Sequence, residues 1–198
     1  MADDGVAVEY SLGGRLGSVM IFRVTQKLSS KLRIVCAAIT GSQPSMVEWY
    51  CNLITVRRQQ FLLFTHAASL FSFWTPAARS RGRDFGGMFR RQAADTLRDY
   101  GFSTADTEKV IDNGPDVFAK AADRGVVGSM VDFGKMLRQV VDYEGGLECL
   151  GPRAMNDIAN ESPMSKIGME NPVRYLQQVL GAERPHNSYQ ASSCQQRK

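Results

Sequence analysis

The sequence predicts an α+β fold, an antiparallel sheet of about four to five strands packed on one side by helices in a single domain, on three observations. Apolar runs with period-two character follow one another at short intervals between residues 47 and 75. From Asp84 onward the apolar residues recur at helical spacing instead. Strands first and helices later is the α+β order, and 198 residues suit one core with no dividing linker.

Residues 1–19 are acidic and glycine-rich and are expected to form a disordered leader. Met1 or Met20 serves as the start, since Met20 opens the first strand, 20–24 (MIFRV). Thr25 caps a short helix over TQKLSSKLRI, with Leu28, Leu32 and Ile34 inward, and a loop follows at Gly41, Ser42 and Pro44. Residues 47–56 form a strand with Trp49, Cys51 and Leu53 on one face. Arg57 to Gln60 make a polar turn, 61–65 (FLLFT) a near-continuous apolar strand, His66 and Ala67 a turn, and 69–75 a further strand. Short connections of this kind imply antiparallel neighbours.

Phe85, Met88, Phe89, Ala93, Leu97 and Tyr100 define the buried stripe of a helix over 84–100, closed by Gly101. Ser103 caps a second helix, and 116–121 is an edge strand. Residues 126–143 form the best amphipathic helix, with Val127, Met130, Phe133, Leu137, Val140 and Val141 in one arc. Two short helices follow, over 153–160 and from Pro172, the latter capped by Asn171 and ended by Gly181. The domain spans 20–182, and 183–198 is expected to be a disordered tail.

With 43% hydrophobic and 22% charged residues the chain belongs with globular proteins. It carries neither a secretory signal nor an apolar run of about 20 residues, so a soluble cytoplasmic protein with no membrane partner is expected. Cys36, Cys51, Cys149 and Cys194 are too dispersed for a zinc site or disulfide framework; no metal or other cofactor is expected. The net charge of +4 is unevenly placed. Eight arginines and two acids lie between Arg57 and Arg98, giving +6 there and −2 elsewhere. Such asymmetry points to an acidic partner, a protein or a polyanion; nucleic acid is a weaker candidate, because no exposed aromatic residues offer a stacking surface.

Catalytic signatures are sparse. His66 falls in a turn without a neighbouring carboxylate, and His186 lies in the expected tail. A Cys51–His66 pair would need a thiol that the strand pattern buries. Gly128–Ser129–Met130 lacks the spacing of a nucleophile elbow, and Gly82, Gly86 and Gly87 do not make a phosphate loop. Asp123–Arg124–Gly125 precedes a long helix, whose start either forms an anion-binding corner with Arg124 and Ser129 or is capped by Asp123, with Gly128 permitting close packing. The arginines of the basic segment form a binding surface if they meet: Arg57 and Arg58 in a turn, Arg79, Arg81 and Arg83 in a loop, Arg90, Arg91 and Arg98 on a helix. Asp95 is expected to pair with Arg91 across one turn.

Four segments in order also carry a resemblance: FRVTQKLSSKL (22–32), EWYCNL (48–53), FLLFTHAASLFSF (61–73) and VVGSMVDF (126–133) preceded by Asp123 and Arg124. Over residues 20–137 and the SPMSKIGMENP stretch, the chain resembles small bacterial proteins classed together as domain of unknown function 6933. His66 stands where that family usually has asparagine, Gly125 for serine and Val131 for asparagine. The resemblance implies kinship and no activity, so no catalytic residue is carried over. The expected function is a non-enzymatic binding or interaction module. An enzyme, acting on nucleic acid, with Arg124, Ser129 and Asp132 near a pocket at the helix start is the alternative.

Overall fold

The protein is described by a computed structural model over residues 19–39, 45–80 and 84–181. The expected leader apart from Val19, the loop at 41–44, the tail at 183–198, His186 and Cys194 lie outside the described residues. Its strands are β1 (Met20–Val24), β2 (Glu48–Val56), β3 (Gln59–His66), β4 (Ser72–Pro76) and β5 (Asp116–Lys120). The α-helices are α1 (Gln26–Leu32), α2 (Phe85–Asp99), α3 (Thr104–Val110), α4 (Arg124–Tyr143), α5 (Pro152–Asn160) and α6 (Pro172–Leu180).

The class is α+β, but the sheet is mixed rather than antiparallel, in the order β4-β3-β2-β1-β5. β2, β3 and β4 form the expected antiparallel meander. β1 runs parallel to both β2 and β5. The reason is the connection: residues 25–47 (23 residues) separate β1 from β2, long enough for a helix-bearing crossover that re-enters the sheet in the same direction.

Nor is the sheet covered on one side alone. Successive residues of a strand face opposite ways, and β2 is buried on both. Trp49, Cys51 and Leu53 join Phe22, Phe64 and Phe73 under Met88, Phe89, Ala93 and Leu97 of α2. Tyr50, Ile54 and Val56 join Phe61, Leu63 and Trp74 under Val126, Met130, Phe133, Leu137 and Val141 of α4 and Met155 and Ala159 of α5. The α2 side is an aromatic cluster, with Phe89 within 5.1 Å (ring centroids) of Phe22, Trp49 and Phe64. Trp49 Nε1 donates to Val110 O at 2.8 Å and fixes the end of α3.

Caps explain where the helices start. Ser103 and Asp106 form a reciprocal capping box on α3, and Asn171 accepts from Arg174 N on α6. Thr25 precedes α1 but makes no cap; its hydroxyl donates to Asn52 Oδ1 instead. α4 begins at Arg124, two residues ahead of the expected start, because Asp123 accepts from Gly125 N and Val126 N. Gly128 is exposed with open space around it, so close packing falls to Gly134, where a Cβ would lie 3.2 Å from Ile54 Cγ2.

The free edge of β4 is closed by side chains. Ser72 N and Trp74 N point away from β3 and donate to the amide oxygens of Asn160 and Asn156 on α5, at 2.7 and 3.0 Å. Asn160 Nδ2 returns a bond to Ser72 O at 2.8 Å. Two asparagines one helical turn apart thereby stand in for a neighbouring strand and block pairing with another chain.

Candidate functional site

The turn between β2 and β3 has two residues, Arg57 and Arg58, between the paired Val56 and Gln59. Both have positive φ, 40° and 67°, the geometry of a type I′ hairpin turn. Asn-Gly is the favoured pair there, and arginine carries a steric cost at each position. Arg57 turns toward α4, where its guanidinium binds Asp142 at 3.0 Å and Gly145 O at 2.9 Å. Arg58 turns the other way and lines a cleft on the α2 side of the sheet.

That cleft, about 350 Å³, lies where α1, the hairpin tip and the short 3-10 helix Ala77–Ser80 meet. Leu28, Leu32, Leu53, Leu62 and Ala78 give it apolar walls. Lys31 and Arg58 stand at its exposed margin with Gln59 and Gln60, and Lys31 Nζ donates to the Gln60 amide oxygen. No carboxylate is among the lining residues. An apolar floor with two cations that no lining acid neutralises suits an anion bearing hydrocarbon.

Of the other arginines whose side chains are described, none lines the cleft. Arg91 pairs with Asp84, which also caps α2 through Gly87 N, and Arg98 pairs with Asp95. The expected Arg91–Asp95 pair is therefore replaced by two others. Arg90 is committed to Asp112 O, Gly114 O and Asp116 at 2.6 to 2.8 Å. Arg57 and Arg124 sit near opposite ends of α4, 18 residues or about 27 Å apart. Arg79 belongs by its backbone to the 3-10 helix beside the cleft; its side chain, Arg81 and Arg83 lie outside the described residues. Of the basic segment, the hairpin tip and the Ala77–Ser80 helix come together, while Arg91 and Arg98 belong to the outer face of α2.

The start of α4 is filled by the protein itself. Asp123 occupies the two free amides and also binds Lys166 at 2.8 Å. Partial burial opposes its ionisation, but Lys166 and the Val126 and Gly125 amides hold its pKa below the ordinary carboxylate value. Arg124 is exposed at the first helical position. Ser129 is buried and donates to Gly125 O at 3.0 Å, and Asp132 is exposed and paired with Lys135. Ser129 and Asp132 are thus engaged by neighbours on their own helix.

His66 is not a turn residue but the fully buried end of β3, against the Trp49 ring on the α2 side. Its Nε2 lies 2.9 Å from Met46 O, which can only accept, so Nε2 carries the proton. Nδ1 then accepts from Ser69 Oγ at 2.8 Å. Burial lowers its pKa to about 4, only partly offset by the bond to Met46 O. With both ring nitrogens engaged, none remains to activate Cys51, whose thiol burial raises well above its ordinary pKa. Phe71, Phe73 and Trp74 are likewise buried and offer no stacking surface.

Two features escaped the sequence reading. Lys31 carries no local signal, since it reaches the cleft only through the β1–α1–β2 crossover. Arg23 and Glu48 form a buried ion pair at 2.7 Å between β1 and β2, with Glu48 also accepting from Ser45 N. A charge inside the apolar run MIFRV was its signal. Among the described residues no three His, Cys, Asp or Glu side chains group as metal ligands, and no helix is long and apolar enough to cross a membrane. No curated protein matches the chain. Residues 21–175 match the family described as domain of unknown function (DUF6933), which takes in the hairpin, the cleft and α4, and the chain belongs to that family.

Proposed function

We propose that this protein is a non-enzymatic binding module that takes an acidic partner at the cleft beneath the β2–β3 turn. The observation that carries the reading is the coincidence of Lys31 and Arg58 over an apolar floor with no acid among the lining residues. Arg57, Arg91 and Arg98 are instead tied to acids, Asp142, Asp84 and Asp95 respectively. A nucleic-acid track would need a run of unpaired cations and exposed rings. The cleft offers two cations, Lys31 on α1 and Arg58 at the hairpin tip, and among the described aromatic residues only Tyr143, at the C-terminal end of α4, is exposed.

Isothermal titration with polyglutamate, citrate and decanoate at low salt tests the reading. The wild-type protein should bind at least one of them, and the Lys31→Glu, Arg58→Glu double variant none. Equal affinity in the two proteins would sink it.

A further inference from the structure

We infer that the partner is a small carboxylic acid with an unbranched aliphatic chain, held with its carboxylate between Arg58 and Lys31 and its tail on the leucine floor. This rests on the reading above and narrows it. Arg58 offers a planar donor fork matched to a carboxylate, and Lys31 a point charge beside it. Lys31 is at present satisfied by a neutral amide, Gln60, which a carboxylate would outcompete.

The floor decides between ligand classes. Leu28, Leu53 and Leu62 close the cleft from α1, β2 and β3 and are themselves buried, while Leu32, Pro76 and Ala78 present hydrocarbon to its opening. A polyanion or a compact acid such as citrate would leave the hydrocarbon of Leu32, Pro76 and Ala78 wet. An alkyl chain would cover it, with each buried methylene tightening binding about fourfold. The volume of about 350 Å³ is near the lower end for small-molecule sites, so the chain is of medium length.

The experiment is a series of butyrate, hexanoate, octanoate and decanoate below their micellar concentrations, with decanol and polyglutamate as controls. Affinity is read by calorimetry and location by methyl NMR of the leucines. Wild-type affinity should rise about tenfold or more per two carbons until the floor is covered, with shifts at Leu28, Leu53 and Leu62. Arg58→Gln should weaken every acid at least tenfold. Ala78→Phe, at an exposed position, should weaken decanoate more than butyrate; circular dichroism checks both folds. Arg58-dependent binding that ignores chain length, or favours polyglutamate, overturns the alkyl ligand and leaves the acidic-partner reading standing. Decanol binding as tightly as decanoate, or acids indifferent to Arg58, overturns both.

Discussion

Lowering the pH from 7 to 5 should cost this fold about 2 kcal/mol through His66. In the folded protein the ring is fully buried, with one nitrogen donating to Met46 O and the other accepting from Ser69 Oγ. A second proton would displace the Ser69 bond and place a charge against Trp49. The folded pKa is therefore depressed to about 4 from the ordinary 6.5. Between those values the unfolded chain binds the proton that the folded one refuses, so stability is complete above 6.5 and falls as pH drops toward 4. The full difference corresponds to about 3 kcal/mol. Carboxylates do not mimic this window. Asp106, held down by Ser103 and Lys109, and Asp123 titrate below their ordinary 3.8 and matter only at lower pH, while Glu161, raised above its ordinary 4.5 by burial, gains stability as the pH falls and opposes the loss. Urea midpoints measured from pH 7.5 to 4.5 provide the assay, with His66→Gln as the reference, since its amide can still donate to Met46 O. The variant starts less stable but should lack most of the drop between pH 6.5 and 5. A variant that keeps the full wild-type slope refutes the assignment.

Other outcomes follow from the same geometry. Arg58→Gly should raise stability by about 1 kcal/mol by relieving a φ of 67°, while weakening acid binding; chemical denaturation and titration read the two signs separately. Asn160→Ala should cost about 2 to 4 kcal/mol, because Ser72 N and O lose their partners in a buried setting, and size-exclusion chromatography should show self-association through the opened β4 edge. On α4, Gly128→Ala should stabilise by up to about 1 kcal/mol, since nothing lies within 4 Å of the new Cβ. Gly134→Leu should destabilise by about 1 to 3 kcal/mol against Ile54; similar thermal shifts for the two would contradict the α4 register.

Local signals placed the elements: β1 has its expected bounds, Ser103 and Asn171 cap as expected, and the α2 stripe is buried from Met88 to Tyr100. Two global errors had readable antidotes. FLLFT is apolar at every position but the last, the mark of a strand covered on both faces rather than one. The 23 residues before β2 include a helix, which signals a parallel crossover. The pairing of β5 with β1 had no such sign, because contact between residues 20–24 and 116–120 depends on everything folded between them. The same limit applies to the ion pairs. An i,i+4 rule proposes Arg91–Asp95, but Asp84, fixed by its capping bond, competes two turns away, and Arg98 takes Asp95 at i,i+3.

The candidate site was half readable for a related reason. Arg57 and Arg58 could be placed in a turn from their neighbours, but not in left-handed backbone, and not on opposite sides of the sheet. A hairpin shaped for stability alone would carry Asn-Gly at its tip and an acid facing Lys31. This one departs from both at one place. Each departure is small, on the order of 1 kcal/mol for the backbone term. Backbone cost alone does not mark the site, since Arg33, Leu70 and Met169 also have positive φ; what marks it is that the strained Arg58 also faces an apolar cleft lined by no acid. Arg57 sharpens the contrast. It bears the same backbone cost as Arg58 but spends its charge on Asp142 and Gly145 O, holding the tip against α4 and leaving Arg58 to face the cleft.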